Sequence, residues 1–373
     1  MDFTFSEVQD DLRGLAAQIL SERITPERLK EVEAGVDFDR RVWDDFARAN
    51  LLGVALPESS GGMGYGMMEL AVLLEEVGAH VAPVPLLASV GLAAMTIAEH
   101  GTPEQRAAHL PSVIDGSSLL TAALQEPGDA DPLAPLTGAR REGSGWRLDG
   151  CKVGVPYGAL AEKILVSAST GDRSAGVFLV DPGSTGVEVE ATRCTSREPQ
   201  ANLELDGAIV DGSAVIGEPS SGLDVVRSVH RRALAGICAT AVGLFDRALR
   251  ITAGYISERE QFGRPLATFQ GATLKAADAY VDVEAIRAAT WSAIWLLAEG
   301  RPADEALAIA KFWVADGGQR VAAACQHLHG GMGVDIDYPI HRYFLWAKQL
   351  ELTLGGASAQ LLRIGEMLAA EPV

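Results

Sequence analysis

Apolar residues near the start of the chain recur at helical spacing. Val8, Leu12, Leu15, Ala16 and Ile19 share one face, with Glu7, Asp10 and Asp11 set among them. Similar patterns over 39–49 and 67–77 predict helices through residues 1–118. Between them lies Leu56-Pro-Glu-Ser-Ser-Gly-Gly-Met-Gly-Tyr65, whose glycines mark a loop ahead of a helix. From 119 the period changes. Short β-rich runs at 119–124, 163–168, 175–180, 187–190 and 201–205 are separated by Gly, Pro, Asp and Ser, and 146–150 reads as a strand entering a hairpin turn. This predicts a small antiparallel β domain over 119–222. Helical spacing returns at 223. A long segment ends near Glu258, and Gly263-Arg264-Pro265 breaks it. Another runs from about 267 to 297 and stops at Gly300-Arg301-Pro302. Leu307, Val314, Val321 and Leu328 then form heptads with Ala310, Gly317 and Ala324, the spacing of antiparallel bundle packing. The expected fold is mainly α with a central β domain, in three domains: 1–118, 119–222 and 223–373.

A chain of 373 residues is long for one core, in keeping with several domains. Its net charge of −19 argues against nucleic acid as a partner, because phosphate binding needs clustered Lys and Arg. An anionic ligand would instead require a local basic patch. Apolar runs are interrupted before the ~20 residues of a membrane span, so no membrane association is expected. The acidic, amphipathic N-terminus lacks the order of a signal peptide, and a cytoplasmic location is expected. Cys151, Cys194, Cys238 and Cys325 are far apart and show no metal-ligand spacing, so no metal is expected.

The candidate chemistry lies in 325–360. Gly330-Gly331 and Gly333 are followed by Tyr338-Pro339, an amphipathic segment, and then Gly355-Gly356. Such glycines let a backbone approach a ligand or take φ > 0, and their N–H groups can bind phosphate. Two helix C-caps would look the same. Upstream stands Arg259-Glu-Gln-Phe262-Gly-Arg-Pro265, followed by Phe269-Gln270. In this order and spacing, and with the Leu56–Tyr65 segment, the chain resembles the acyl-CoA dehydrogenase family. The resemblance implies an N-terminal α bundle, an antiparallel β domain and a C-terminal four-helix bundle. It implies FAD, which takes two hydrogens from Cα and Cβ of an acyl-CoA thioester, and an electron-transferring flavoprotein as acceptor. In the family, the adenine-diphosphate half of FAD is held largely by a neighbouring subunit. Carried over by position, Arg259 would pair with the pyrophosphate and Phe262 would line the adenine side. Gln270 would hydrogen-bond across the dimer. His327, Gly330 and Gly331 would meet the adenosine and pyrophosphate, although Gln is commoner where His327 stands. Alone, Arg259 would read as a solvated cation at a helix end.

Other segments depart from the family. Its T-E-P-x-x-G-S-D is here Gln125-Glu-Pro-Gly-Asp-Ala-Asp-Pro132, with Gln125 for Thr and Asp131 for Ser. Its flavin-packing W-I-T is Gly154-Val155-Pro156, and proline removes a backbone donor. The two positions of the proton-abstracting Glu fall on Leu354 and Ala233, neither of which can act as a base. Glu351 and His230 stand three residues before them. His230, next to Arg231 and Arg232, reads as part of an exposed or phosphate-facing cluster. Retained adenine contacts beside a missing base resemble the non-catalytic subunit of heterotetrameric (α2β2) dehydrogenases of steroid side-chain CoA esters. A homologous partner would then carry the base, and the complex would hold two FAD. Two alternatives stay open: a homotetrameric enzyme with its base relocated to Glu351 or His230, and a flavin-free scaffold binding CoA esters or a partner.

Overall fold

The computed structural model describes residues 4–35, 37–128, 131–171, 173–218 and 221–370. Asp129 and Ala130 of the Gln125–Pro132 segment lie outside the described residues. The first helices are α1 (Glu7–Arg23), α2 (Pro26–Ala34), α3 (Arg40–Arg48) and α4 (Met67–Ala79). A π-helical stretch (Leu87–Ala94) runs into α5 (Met95–His100), and α6 (Pro103–Ile114) follows. Strands come next: β1 (Leu120–Ala123), β2 (Gly138–Glu142), β3 (Gly145–Pro156), β4 (Lys163–Gly171), β5 (Ser174–Val180), β6 (Val187–Arg193), β7 (Pro199–Val210) and β8 (Val215–Ile216). The rest comprises α7 (Gly222–Glu258), a small hairpin of β9 (Glu260–Gln261) and β10 (Arg264–Pro265), α8 (Gln270–Ala298), α9 (Asp304–His329), α10 (Ile340–Leu352) and α11 (Ala357–Ala370).

The chain forms two compact units. One is helical and comprises the chain up to Lys30, residues 71–82, and everything from Leu234. Its α1 starts with a capping box: Ser6 Oγ accepts from the Gln9 N–H at 3.2 Å, and Gln9 Oε1 accepts from the Ser6 N–H at 2.9 Å. Glycines let its helices touch. A β-carbon at Gly78 would lie 1.9 Å from the Thr240 carbonyl oxygen, and one at Gly243 would lie 1.8 Å from that of Glu75. The heptad positions Leu307, Val314 and Val321 on α9 are fully buried. Ala324 and Leu328 are only half-buried, because the end of α9 turns towards a cavity. Lys311 lies within this seam with no exposure, its Nζ donating to the carbonyls of Glu351 and Gly355 at 2.9 Å each. Burial pulls its pKa down to about 8.

The second unit comprises residues 31–70 and 83–233. Its sheet has the order β6-β7-β3-β2-β4-β5-β8, with β1 beside β4. The pairing is mainly antiparallel, but β1 runs parallel to β4 (Leu120 opposite Lys163). Alternate residues Trp146, Leu148, Ile164, Val166, Phe178, Val180, Leu203 and Leu205 fill one core. Inside it, Lys152 Nζ bonds Glu126 Oε1 at 2.7 Å and Ser167 Oγ at 3.1 Å. Glu126 also accepts from the backbone N–H groups of Leu136 (2.6 Å) and Thr137 (2.9 Å), which ties the loop after β1 to the sheet.

Candidate functional site: a dinucleotide cavity

The site is built where α7 ends. The Arg259 N–H still bonds the Tyr255 carbonyl at 2.8 Å, and the chain then reverses through the β9–β10 hairpin. Both turn residues have left-handed backbone, Phe262 at φ +56° and Gly263 at φ +77°, as a tight hairpin requires. The turn holds Phe262 out into solvent at 93% exposure, its ring 6.2 Å from that of Phe269. The opposite wall is the end of α9. Gly330 leaves the helix at φ +58°, and its N–H caps the His327 carbonyl. A β-carbon at Gly330 or Gly331 would meet nothing within 4 Å, so both backbones are bare.

Between these walls lies a cavity of about 680 Å³, lined among others by Arg259, Phe262, His327, Gly330 and Gly331. Five of the six residues expected to touch the cofactor therefore converge within one unit. Gln270, the sixth, is the exposed first residue of α8 and does not line the cavity.

Lys275 and Tyr255 also line the cavity and were not singled out in the sequence. Lys275 lies on α8 downstream of the hairpin, beyond the Arg259–Gln270 motif. Neither Arg259 nor Lys275 has a carboxylate partner among the described residues, so this acidic chain has a local cationic site. A third addition is His329, the last residue of α9. It is 2% exposed and stacks on Tyr255 at 4.4 Å. Its Nδ1 donates to the Cys325 carbonyl at 2.8 Å. Free cations, aromatic rings and bare glycine backbone are the donor set an adenosine diphosphate group needs. The residues present thus fit the adenine half of FAD.

The other expected positions are placed as follows. Leu354 sits in the turn after α10 at φ +57°, its carbonyl accepting from Gln360 Nε2 at 3.0 Å. The Glu351 carboxylate is paired with Lys348 at 2.7 Å on the same helix. Ala233 is 2% exposed on α7. The expected exposed or phosphate-facing cluster around His230 is not found. His230 is buried at 2%, and Arg232 turns inward to the Glu99 carboxylate, the Thr96 hydroxyl at 2.7 Å and the Gly91 carbonyl at 3.1 Å. The π-helical stretch sets that carbonyl, and the guanidinium forms five-donor contacts best where such acceptors surround it.

In the sheet unit, Gly154 lies in a register shift between β3 and β7 at φ +59°. A tryptophan there would be strained. The Pro156 carbonyl accepts from the Thr121 hydroxyl at 2.7 Å. Glu126, beside Gln125, is paired with Lys152. Among the described residues, no group of three or more His, Cys, Asp or Glu could hold a metal, and no helix is long and apolar enough to cross a membrane.

Comparison with known proteins shows the family. Residues 6–117 match the acyl-CoA dehydrogenase N-terminal domain, and residues 220–369 match the C-terminal domain. The acyl-CoA dehydrogenase FadE27 of Mycobacterium tuberculosis is 41% identical over 382 residues, spanning 100% of both chains. A chain in the ChsE4-ChsE5 complex of the same organism superposes with a TM-score of 0.94 at 41% identity over 100% of each chain. A chain in a variant of the Tcur3481-Tcur3483 steroid ACAD does so with a TM-score of 0.91 at 46% identity, over 97% of this chain and 98% of that one. The cavity, the helix–sheet–helix order and these similarities together place the chain in the acyl-CoA dehydrogenase family of oxidoreductases, whose members generally bind FAD.

Proposed function

We propose that this chain is the non-catalytic but obligatory subunit of a heteromeric FAD-dependent acyl-CoA dehydrogenase acting on a bulky, steroid-type acyl-CoA. One contrast carries the reading. Five of the six residues expected at the adenine half of FAD line one cavity, while Leu354 and Ala233 stand where the resemblance places the family's base, and Gly154 and Pro156 where it places the flavin-packing Trp and Thr. When bound, FAD supplies the hydride acceptor for α,β-dehydrogenation. This chain's part is to hold the cofactor. Arg259 and Lys275 offset the pyrophosphate charge, Phe262 covers the adenine side, and the backbone at Gly330 and Gly331 admits the phosphates. A homologous partner supplies the carboxylate that takes the α-proton. Similarity to chains of two paired complexes supports a heteromeric assembly, and one of those is called a steroid ACAD. An electron-transferring flavoprotein is the acceptor that the family resemblance implies. A base relocated to Glu351 is disfavoured by its pairing with Lys348.

Visible absorption spectra of the chain alone, and co-purified with candidate partner chains, test the reading. The expected result is no flavin alone and about one FAD per pair in the complex, lost when Arg259→Ala is introduced here. A yellow homo-oligomer that bleaches with acyl-CoA would overturn it. FAD retained in the Arg259→Ala complex would favour the flavin-free scaffold.

A further inference from the structure

His329 is buried at 2% exposure, yet its Nε2 has no hydrogen-bond partner among the described residues. Leaving a buried polar atom this way is unfavourable, so it calls for an explanation. The chemistry of the atom is fixed by its neighbour. The Cys325 carbonyl can only accept, so the Nδ1 bonded to it carries the proton. Burial also holds the imidazole pKa below its ordinary value, which keeps the ring neutral. Nε2 is therefore a lone-pair acceptor. The residue lines the dinucleotide cavity, with the Tyr255 ring stacked on it at 4.4 Å and the Tyr338 ring tilted at 5.2 Å. Arg259 and Lys275 at this cavity are cations suited to phosphate. Adenosine also presents donors, its exocyclic amine and ribose hydroxyls, which a guanidinium or an ammonium group cannot accept.

We propose that His329 is a further residue of the dinucleotide site, its Nε2 accepting a hydrogen bond from the adenosine half of the cofactor. The inference rests on the FAD reading above. Its test is the affinity of the deflavinated complex for FAD, titrated by flavin fluorescence, with the thermal midpoint of the apo complex measured in parallel. His329→Phe keeps the ring and its stacking but removes both nitrogens. Affinity is expected to fall on the order of tenfold, the loss of one hydrogen bond of about 1.4 kcal/mol. The apo midpoint should change little, since the unsatisfied Nε2 goes together with the Nδ1 bond to the Cys325 carbonyl. His329→Gln, which keeps an acceptor, should recover most of the affinity. His329→Leu replaces the Phe variant if that one does not fold. Wild-type affinity in His329→Phe beside weakened binding in Arg259→Ala would overturn the role of His329 alone. Wild-type affinity in both would show that the FAD reading itself has failed, and this inference with it.

Discussion

Lys152 brings a positive charge to a place with no exposure, and only Glu126 answers it. Burial pushes the Glu126 carboxyl pKa up, but hydrogen bonds from Lys152 and Thr137 outweigh that and hold it below its ordinary value. A depressed carboxyl pKa contributes stability above the unfolded pKa of about 4.3, and that contribution is lost as pH falls through the folded value. Lys152→Met would leave the carboxylate buried without its cation. Breaking one side of a buried pair costs about 3–5 kcal/mol, and chemical denaturation at pH 7 should show a loss of that order. The deficit should shrink on acidification, because the orphaned carboxyl can then protonate. Adding Glu126→Gln should restore much of the stability at neutral pH. If Lys152→Met were neutral at pH 7, the pair would not anchor the loop after β1.

At the scale of elements, helix contact depends on where glycine sits. Gly243 on α7 faces α4, where an added β-carbon would fall 1.8 Å from the Glu75 carbonyl oxygen. Gly254, on the same helix, is exposed with nothing within 4 Å of that position. Gly243→Ala must push two backbones apart and should cost about 1–3 kcal/mol or more. Gly254→Ala should stabilise by up to about 1 kcal/mol through helix propensity. Thermal melting of the two variants should move in opposite directions; parallel shifts would mean that α4 and α7 do not cross at Gly243. Periodicity revealed much at this scale. The run 163–168 became Lys163–Gly171, 201–205 became Pro199–Val210, and the break at 263–265 became the turn and second strand of a hairpin. Local pattern could not reveal the parallel pairing of β1 with β4, which depends on a partner more than 40 residues away. Nor did it show that Arg232 turns inward, because a run of His and Arg looks solvated until acceptors from another segment surround it. Most of the residues proposed to hold the cofactor were legible for a different reason: turn glycines and Arg259 lie in short contiguous motifs. Lys275 lies outside those motifs, and His329, although it adjoins Gly330, shows its unpartnered nitrogen only in the folded cavity.

At the scale of the whole molecule, the question is whether the absence of one carboxylate explains the proposed division of labour. Leu354 lies in a turn fixed from several sides. Lys311 bonds the carbonyls of Glu351 and Gly355, and Gln360 bonds that of Leu354. Its positive φ strains Leu and Glu alike, so Leu354→Glu can be introduced with little change in backbone cost. That variant supplies a carboxylate at the position the resemblance aligns with the family's base, and nothing else. Gly154 and Pro156 still lack the aromatic face and the hydroxyl that would meet a flavin ring, and Gly154 cannot take tryptophan without rebuilding the register shift between β3 and β7. Base and flavin contacts must act together, since proton removal without a positioned hydride acceptor gives no product. We therefore expect Leu354→Glu, purified alone, to remain colourless and inactive with acyl-CoA and an artificial electron acceptor. In the complex it should leave the flavin content unchanged. Turnover by the variant alone would mean that a single residue separates this chain from a self-sufficient dehydrogenase, and that the substitutions at 154 and 156 do not prevent flavin binding.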